Sequence, residues 1–98
     1  MNPQKVIRHK VKALTDLPNI GKAMEKDLRL IGISSPAQLQ GKSPYQMYND
    51  LCNKTGTQHD PCVIDVFLSI TRFIDGAEPK PWWEYTRERK NYLNKNKA

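Results

Sequence analysis

Proline and glycine cut this chain into pieces that suit only brief helices. Ser35-Pro36, Ser43-Pro44 and Asp60-Pro61 each set a side-chain oxygen ahead of a proline. That pair starts a helix: the oxygen accepts from an orphan N–H, and proline needs no N–H partner in the first turn. Gly32, Gly41, Gly56 and Gly76 end the stretches that follow, because glycine takes the left-handed conformation that closes a helix. Between these marks apolar residues recur at offsets of three and four, the helical period. They are Met24, Leu28 and Ile31; then Tyr45, Tyr48, Leu51 and Cys52; then Val63, Val66, Phe67, Ile70 and Phe73/Ile74. The last of these segments is the most apolar and is expected to cross the core. A shorter piece, residues 11–17, should stop near Asp16, since proline disfavours helix in the residue before it. No strand-like alternation occurs. The expected fold is all-α, a compact bundle of about five short helices.

Charge is divided unevenly. The chain has 98 residues and a net charge of +6. Residues 1–12 carry +4 and residues 87–98 carry +4, which leaves −2 on the middle. The expected organisation is a basic N-terminal extension at 1–10, one domain at 11–85, and a basic C-terminal tail at 86–98. A basic chain suits a polyanionic partner, although here the ends carry the charge, as solubilising tails also do. No apolar run approaches the roughly 20 residues that span a bilayer. The first residues lack the continuous apolar core of a signal peptide. Two cysteines are few for a disulfide scaffold, and free thiols in a cytoplasmic protein are the expectation.

The stretch LPNIG at 17–21 holds the candidate site. A helix N-terminus leaves backbone N–H groups unpaired and carries about half a positive charge, which makes it an anion site. Gly21 has no side chain to keep a phosphate from the backbone. Lys22 lies in the first turn and Lys26 one turn on. Asn19 tolerates positive φ better than other non-glycine residues. The same turn can also serve as a plain structural corner, or as a protein contact.

Leu17, Pro18, Ile20 and Gly21 match the helix-hairpin-helix motif, with Asn19 where that pattern has its first glycine. The order LPNIG, LIGI, DPC and WW over residues 11–85 resembles the small bacterial helix-hairpin-helix proteins of a pathogenicity-locus family, some of which are called mitomycin resistance proteins. The first half is also similar to the C-terminal domain of the competence regulator TfoX. The resemblance implies a helix-hairpin-helix motif within the bundle, and the class as a whole implies sequence-independent DNA binding. Pro18, Asn19, Ile20, Gly21, Lys22 and Lys26 would then form the phosphate-binding turn. Lys10, Lys12, Arg87, Arg89 and Lys90 would add non-specific attraction. Binding of this kind is weak and salt-dependent. The alternative is a protein-interaction or adaptor module of the same fold.

Other constellations are thin. Cys52, His59 and Cys62 do not have a usual zinc spacing, and a fourth ligand would have to be distant. No metal or other cofactor is expected. Cys62 stands near a helix start, where a thiol pKa can fall. Asp50, Asp60 and Asp65 read as helix caps and surface charges. No phosphate-binding glycine loop, paired-carboxylate constellation or HExxH pattern is present, so the expectation is a non-enzyme. Trp82, Trp83 and Tyr85 lead into Arg87, Arg89 and Lys90. The tryptophans are expected to close the core, at least one of them packed on the body. Stacking on bases is the other use of such a mixture.

Overall fold

A computed structural model describes residues 2–95. Among the described residues there are four α-helices and no strand: α1 (Lys22–Leu30), α2 (Pro44–Thr55), α3 (Cys62–Ile74) and α4 (Thr86–Lys95). Short 3-10 turns connect or precede them, including Leu14–Asp16, Pro36–Leu39 and Trp82–Tyr85. None of the helices among the described residues is long and apolar enough to cross a membrane.

The starts at Ser43-Pro44 and Asp60-Pro61 act as the sequence implies, whereas Ser35-Pro36 opens only the 3-10 turn Pro36–Leu39, with no cap bond to the Ser35 side chain. Gly32 has a φ of 87°. Its N–H bonds to the Arg29 carbonyl at 3.1 Å, and the Ile33 N–H bonds to the Leu28 carbonyl at 3.0 Å. This doubled return closes α1 with the Leu28 and Arg29 carbonyls satisfied, and it brings buried Leu28 and Ile33 onto one side. Ser43 Oγ accepts from the Gln46 N–H at 3.3 Å at the start of α2, and Gly56 ends that helix in the left-handed region. Asp60 Oδ1 accepts from the Cys62 N–H at 2.8 Å at the start of α3.

The segment ahead of Pro18 differs from an α-helix. Only Leu14–Asp16 winds, and it winds as a 3-10 turn. The piece is too short to repay the entropy of an α-helical nucleus. The Asp16 carboxylate instead accepts from the Lys12 and Ala13 N–H groups at 3.0 and 2.9 Å.

The third helix is the centre. It packs against α2, α4 and the turns at 36–39 and 82–85. The periodicity gives it one apolar face; the structure surrounds it. Ile64, Leu68, Ser69 and Thr71 are buried beside Phe67, Ile70 and Phe73, while Val63 and Val66 are half-buried. The two hydroxyls are satisfied within the helix, Ser69 Oγ on the Val66 carbonyl at 2.6 Å and Thr71 Oγ1 on the Phe67 carbonyl at 2.9 Å.

Both basic ends are tied to this helix. Arg8 lies with its guanidinium 4.1 Å from the centre of the Phe73 ring and donates to the carbonyls of Phe73 and Ala77. A cation there satisfies carbonyls at the helix C-terminus and meets its partial negative charge. At the other end, residues 86–95 form α4. Asp65, expected at the surface, is fully buried. Its carboxylate accepts from Arg89 Nε at 2.9 Å and from Thr86 Oγ1 at 2.6 Å. Arg72 and Glu88 add an exposed pair between α3 and α4. Tyr45 of α2 and Tyr92 of α4 stack with ring centres 3.6 Å apart. Residues 96–98 of the expected tail, with Lys97, lie outside the described residues.

Candidate nucleic-acid interface at residues 19–21

The turn at 17–21 is anchored from inside. Leu17 and Ile20 are fully buried, and Pro18 is among the buried side chains as well. Burying these residues fixes where the chain turns and presents the next residue, Gly21, to solvent. Pro18 and Ile20, both expected in the phosphate-binding turn, therefore serve as anchors. Pro18 has no N–H, and the Ile20 N–H is directed at the Leu17 carbonyl, 3.4 Å away.

Asn19 has a φ of 68°, the only positive-φ residue besides glycine among those described. Its side chain does not face outward. Nδ2 donates to Ser69 Oγ at 3.0 Å and to the Lys80 carbonyl at 2.8 Å. One asparagine thus closes the turn and ties it both to α3 and to the segment leading into Trp82. The sequence showed that asparagine suits the φ; nothing in it disclosed the two acceptors, which lie 50 and 61 positions away.

Gly21 is the N-cap of α1 in extended backbone, and no side chain caps the helix. The first N–H groups of α1 therefore keep the lack of intrahelical partners common to every helix start. A Cβ added at Gly21 would have nothing within 4 Å. Lys22 and Lys26 are exposed on this helix. Glu25, the acid in its first turn, lies 3.5 Å from Arg29 one turn on, which offsets its charge. Asp16 is exposed upstream, and the N–H groups of Ala13 and then Lys12 hold its carboxyl below the usual carboxylate range.

The auxiliary cations divide. Lys10, Lys12, Arg87 and Lys90 are exposed. Arg89 is not: its side chain is 10% exposed and pairs with Asp65, whose hydrogen bonds hold the guanidinium pKa above its ordinary value. It secures α4 and has no free face for a phosphate.

Beside the turn at 17–21 lies a groove of about 240 Å³, lined by Pro3, Asn19, Gly21, Trp82 and Trp83. Trp82 is half-buried, whereas Trp83 is 60% exposed. The two indoles meet edge to face with centres 5.6 Å apart. The aromatic wall thus borders the same glycine that opens α1.

The thiols sit elsewhere. Cys52 Sγ accepts from the His59 N–H at 3.5 Å, and His59 Nε2 is 2.9 Å from Thr55 Oγ1. The Asp60 carboxylate, with burial adding to it, pushes the Cys62 thiol pKa up, so the helix start does not activate it. Among the described residues no group of three or more His, Cys, Asp or Glu is placed to hold a metal ion.

Residues 7–91 match the model of a family described as Pathogenicity locus (Cdd1). Over 80 residues the chain is 36% identical to the mitomycin resistance protein McrB of Streptomyces lavendulae, a match covering 82% of this chain and 76% of that relative. No solved structure matches the chain.

Proposed function

The chain belongs to the pathogenicity locus (Cdd1) family, and on that premise we propose that it is a non-enzymatic DNA-binding protein that holds a backbone phosphate at the start of α1. The observation that carries this reading is Gly21: an exposed glycine at an uncapped helix N-terminus, presented by a turn whose other residues are buried or bonded. We read residues 17–21 as a helix-hairpin-helix turn whose first helix has shrunk to the 3-10 turn Leu14–Asp16. The N–H groups of α1 supply donors for phosphate oxygens, and Lys22 and Lys26 supply cations within reach of the same strand. Such contacts fix position without reading bases. Binding is accordingly weak, independent of sequence and steeply reduced by salt.

Gly21→Val tests the reading. The backbone there, φ −97° and ψ −171°, suits valine, and the Cβ meets nothing. The variant should fold while its side chain stands where a phosphate approaches. Fluorescence anisotropy with a short random-sequence duplex should show affinity falling about tenfold, the loss of about one good charge-assisted contact. Lys22→Gln and Lys26→Gln should each lower the salt slope by about one. A folded Gly21→Val protein that binds duplex as tightly as the parent refutes the mechanism. Duplex binding that persists in it and depends only on the basic ends reassigns the contact to those ends.

A further inference from the structure

We infer that the groove between the hairpin and the turn at Trp82–Tyr85 takes an unpaired base of single-stranded DNA, stacked on Trp83. The inference rests on the reading of Gly21 as a phosphate contact, and it names the form of nucleic acid which that site prefers.

Four observations converge. First, Trp83 offers an indole face at 60% exposure, the most exposed of the large apolar side chains among the described residues. Second, the face is held in place. Trp83 abuts Trp82 edge to face, and Pro81 just before them is buried. The Asn19 side chain bonds the Lys80 carbonyl at 2.8 Å, so the two walls of the groove are joined by a hydrogen bond. A platform held before the ligand arrives loses little entropy on binding.

Third, the groove is small. Its volume of about 240 Å³ lies below the roughly 300–1,000 Å³ of drug-sized sites, so it suits one flat ring system and not a larger molecule. Fourth, the charges next to its lining along the chain favour a polyanion over an aromatic peptide. Exposed Lys22 and Lys80 adjoin or lie within two positions of lining residues, against one acid, Glu84, while Lys5 lines another groove with Asp16. An exposed aromatic ring with lysines on the neighbouring backbone is a combination by which proteins hold single strands, with bases stacked and the backbone followed by positive charge. A base inside a duplex is already stacked on both faces. Away from a duplex end, only an unpaired one presents a free face while its own phosphate lies near Gly21.

The test compares a short oligothymidine with a blunt duplex of equal phosphate number, binding followed by anisotropy of the labelled DNA and by tryptophan fluorescence. The parent should bind the single strand more tightly and show quenched emission. Trp83→Ala should weaken single-strand binding about tenfold or more, the usual range for loss of one stacked base, and change duplex affinity less than about twofold. Trp83→Phe keeps an aromatic face and should restore most of the loss. Far-ultraviolet circular dichroism establishes that each variant is folded, and the phenylalanine variant covers the case in which alanine disturbs the turn.

Equal single-strand affinity in Trp83→Ala and parent overturns the inference. If duplex binding still depends on Gly21, that result leaves the proposed function standing. Equal affinity of the parent for single strand and duplex also overturns the inference. Absence of binding to either DNA overturns both readings.

Discussion

Replacing Arg89 by methionine should unfasten α4. The pair it forms with Asp65 is enclosed: Arg89 Nε is 2.9 Å from Asp65 Oδ1, with side-chain exposures of 10% and 0%. Methionine has similar length and leaves little void, so the main effect is electrostatic. Asp65 would remain buried with the Thr86 hydroxyl, 2.6 Å from Oδ2, as its remaining side-chain donor. Removing one partner of a buried pair costs about 3–5 kcal/mol, because the other charge stays desolvated. A domain of this size is stable by about 5–15 kcal/mol, so the loss is a large share. At about 4–8 °C per kcal/mol for a domain of 60–100 residues, Tm should fall by about 20 °C. Urea melts followed by circular dichroism give the free energy directly. Asp65→Leu combined with Arg89→Met should recover much of it, with a coupling of about 2 kcal/mol in the double-mutant cycle. The exposed Arg72–Glu88 pair bridges the same two helices, yet its rupture should cost less than about 1 kcal/mol. A loss below about 1 kcal/mol for Arg89→Met would refute the reasoning, since the pair would then not hold α4 in place.

Two further outcomes follow from the turn at 17–21 and its surroundings. Asn19→Gly keeps access to positive φ and loses both side-chain bonds, whereas Asn19→Ala also takes on left-handed strain of about 1–2 kcal/mol. Denaturant melts should rank the parent above Asn19→Gly and Asn19→Ala last; an alanine variant as stable as the glycine one would contradict the conformation at 19. Stability should also fall in acid. Asp16 is held low chiefly by the Ala13 N–H and Asp60 by that of Cys62. Their contributions are complete above the unfolded value of about 3.9 and are lost as pH drops through the lower folded values. Asp16→Asn should therefore lose less stability than the parent between about pH 5 and pH 2, and equal losses would count against the Asp16 turn.

Much of the helical layout was legible because caps and breakers act locally. A serine or aspartate ahead of proline, and a glycine after an apolar run, bias the backbone whatever surrounds them. Ser43, Asp60, Gly32 and Gly56 therefore mark the same ends in sequence and in structure. The 3-10 winding of Leu14–Asp16 was less legible, because a few residues are balanced between two windings and a side chain decides. The candidate site was legible in part. LPNIG located the turn and the exposed Gly21, but not which turn residues face inward. Pro18 and Ile20 are apolar, and that apolarity is what buries them.

By itself the sequence determined an all-helical chain, its main breaks, a glycine at the opening of α1 and a surplus of positive charge at both ends. Only the tertiary structure decided how those charges are used. Arg8 covers the end of α3, Arg89 lies on buried Asp65, and Lys10, Lys12, Arg87 and Lys90 stay in water. It also decided that Asn19 reaches Ser69 and Lys80, and that Trp83 stands open beside Gly21. The physical reason is range. Capping and periodicity act over about four residues, one helical turn. Burial of a charge or exposure of an indole depends on partners tens of positions away, and these are set only when the whole core closes around α3.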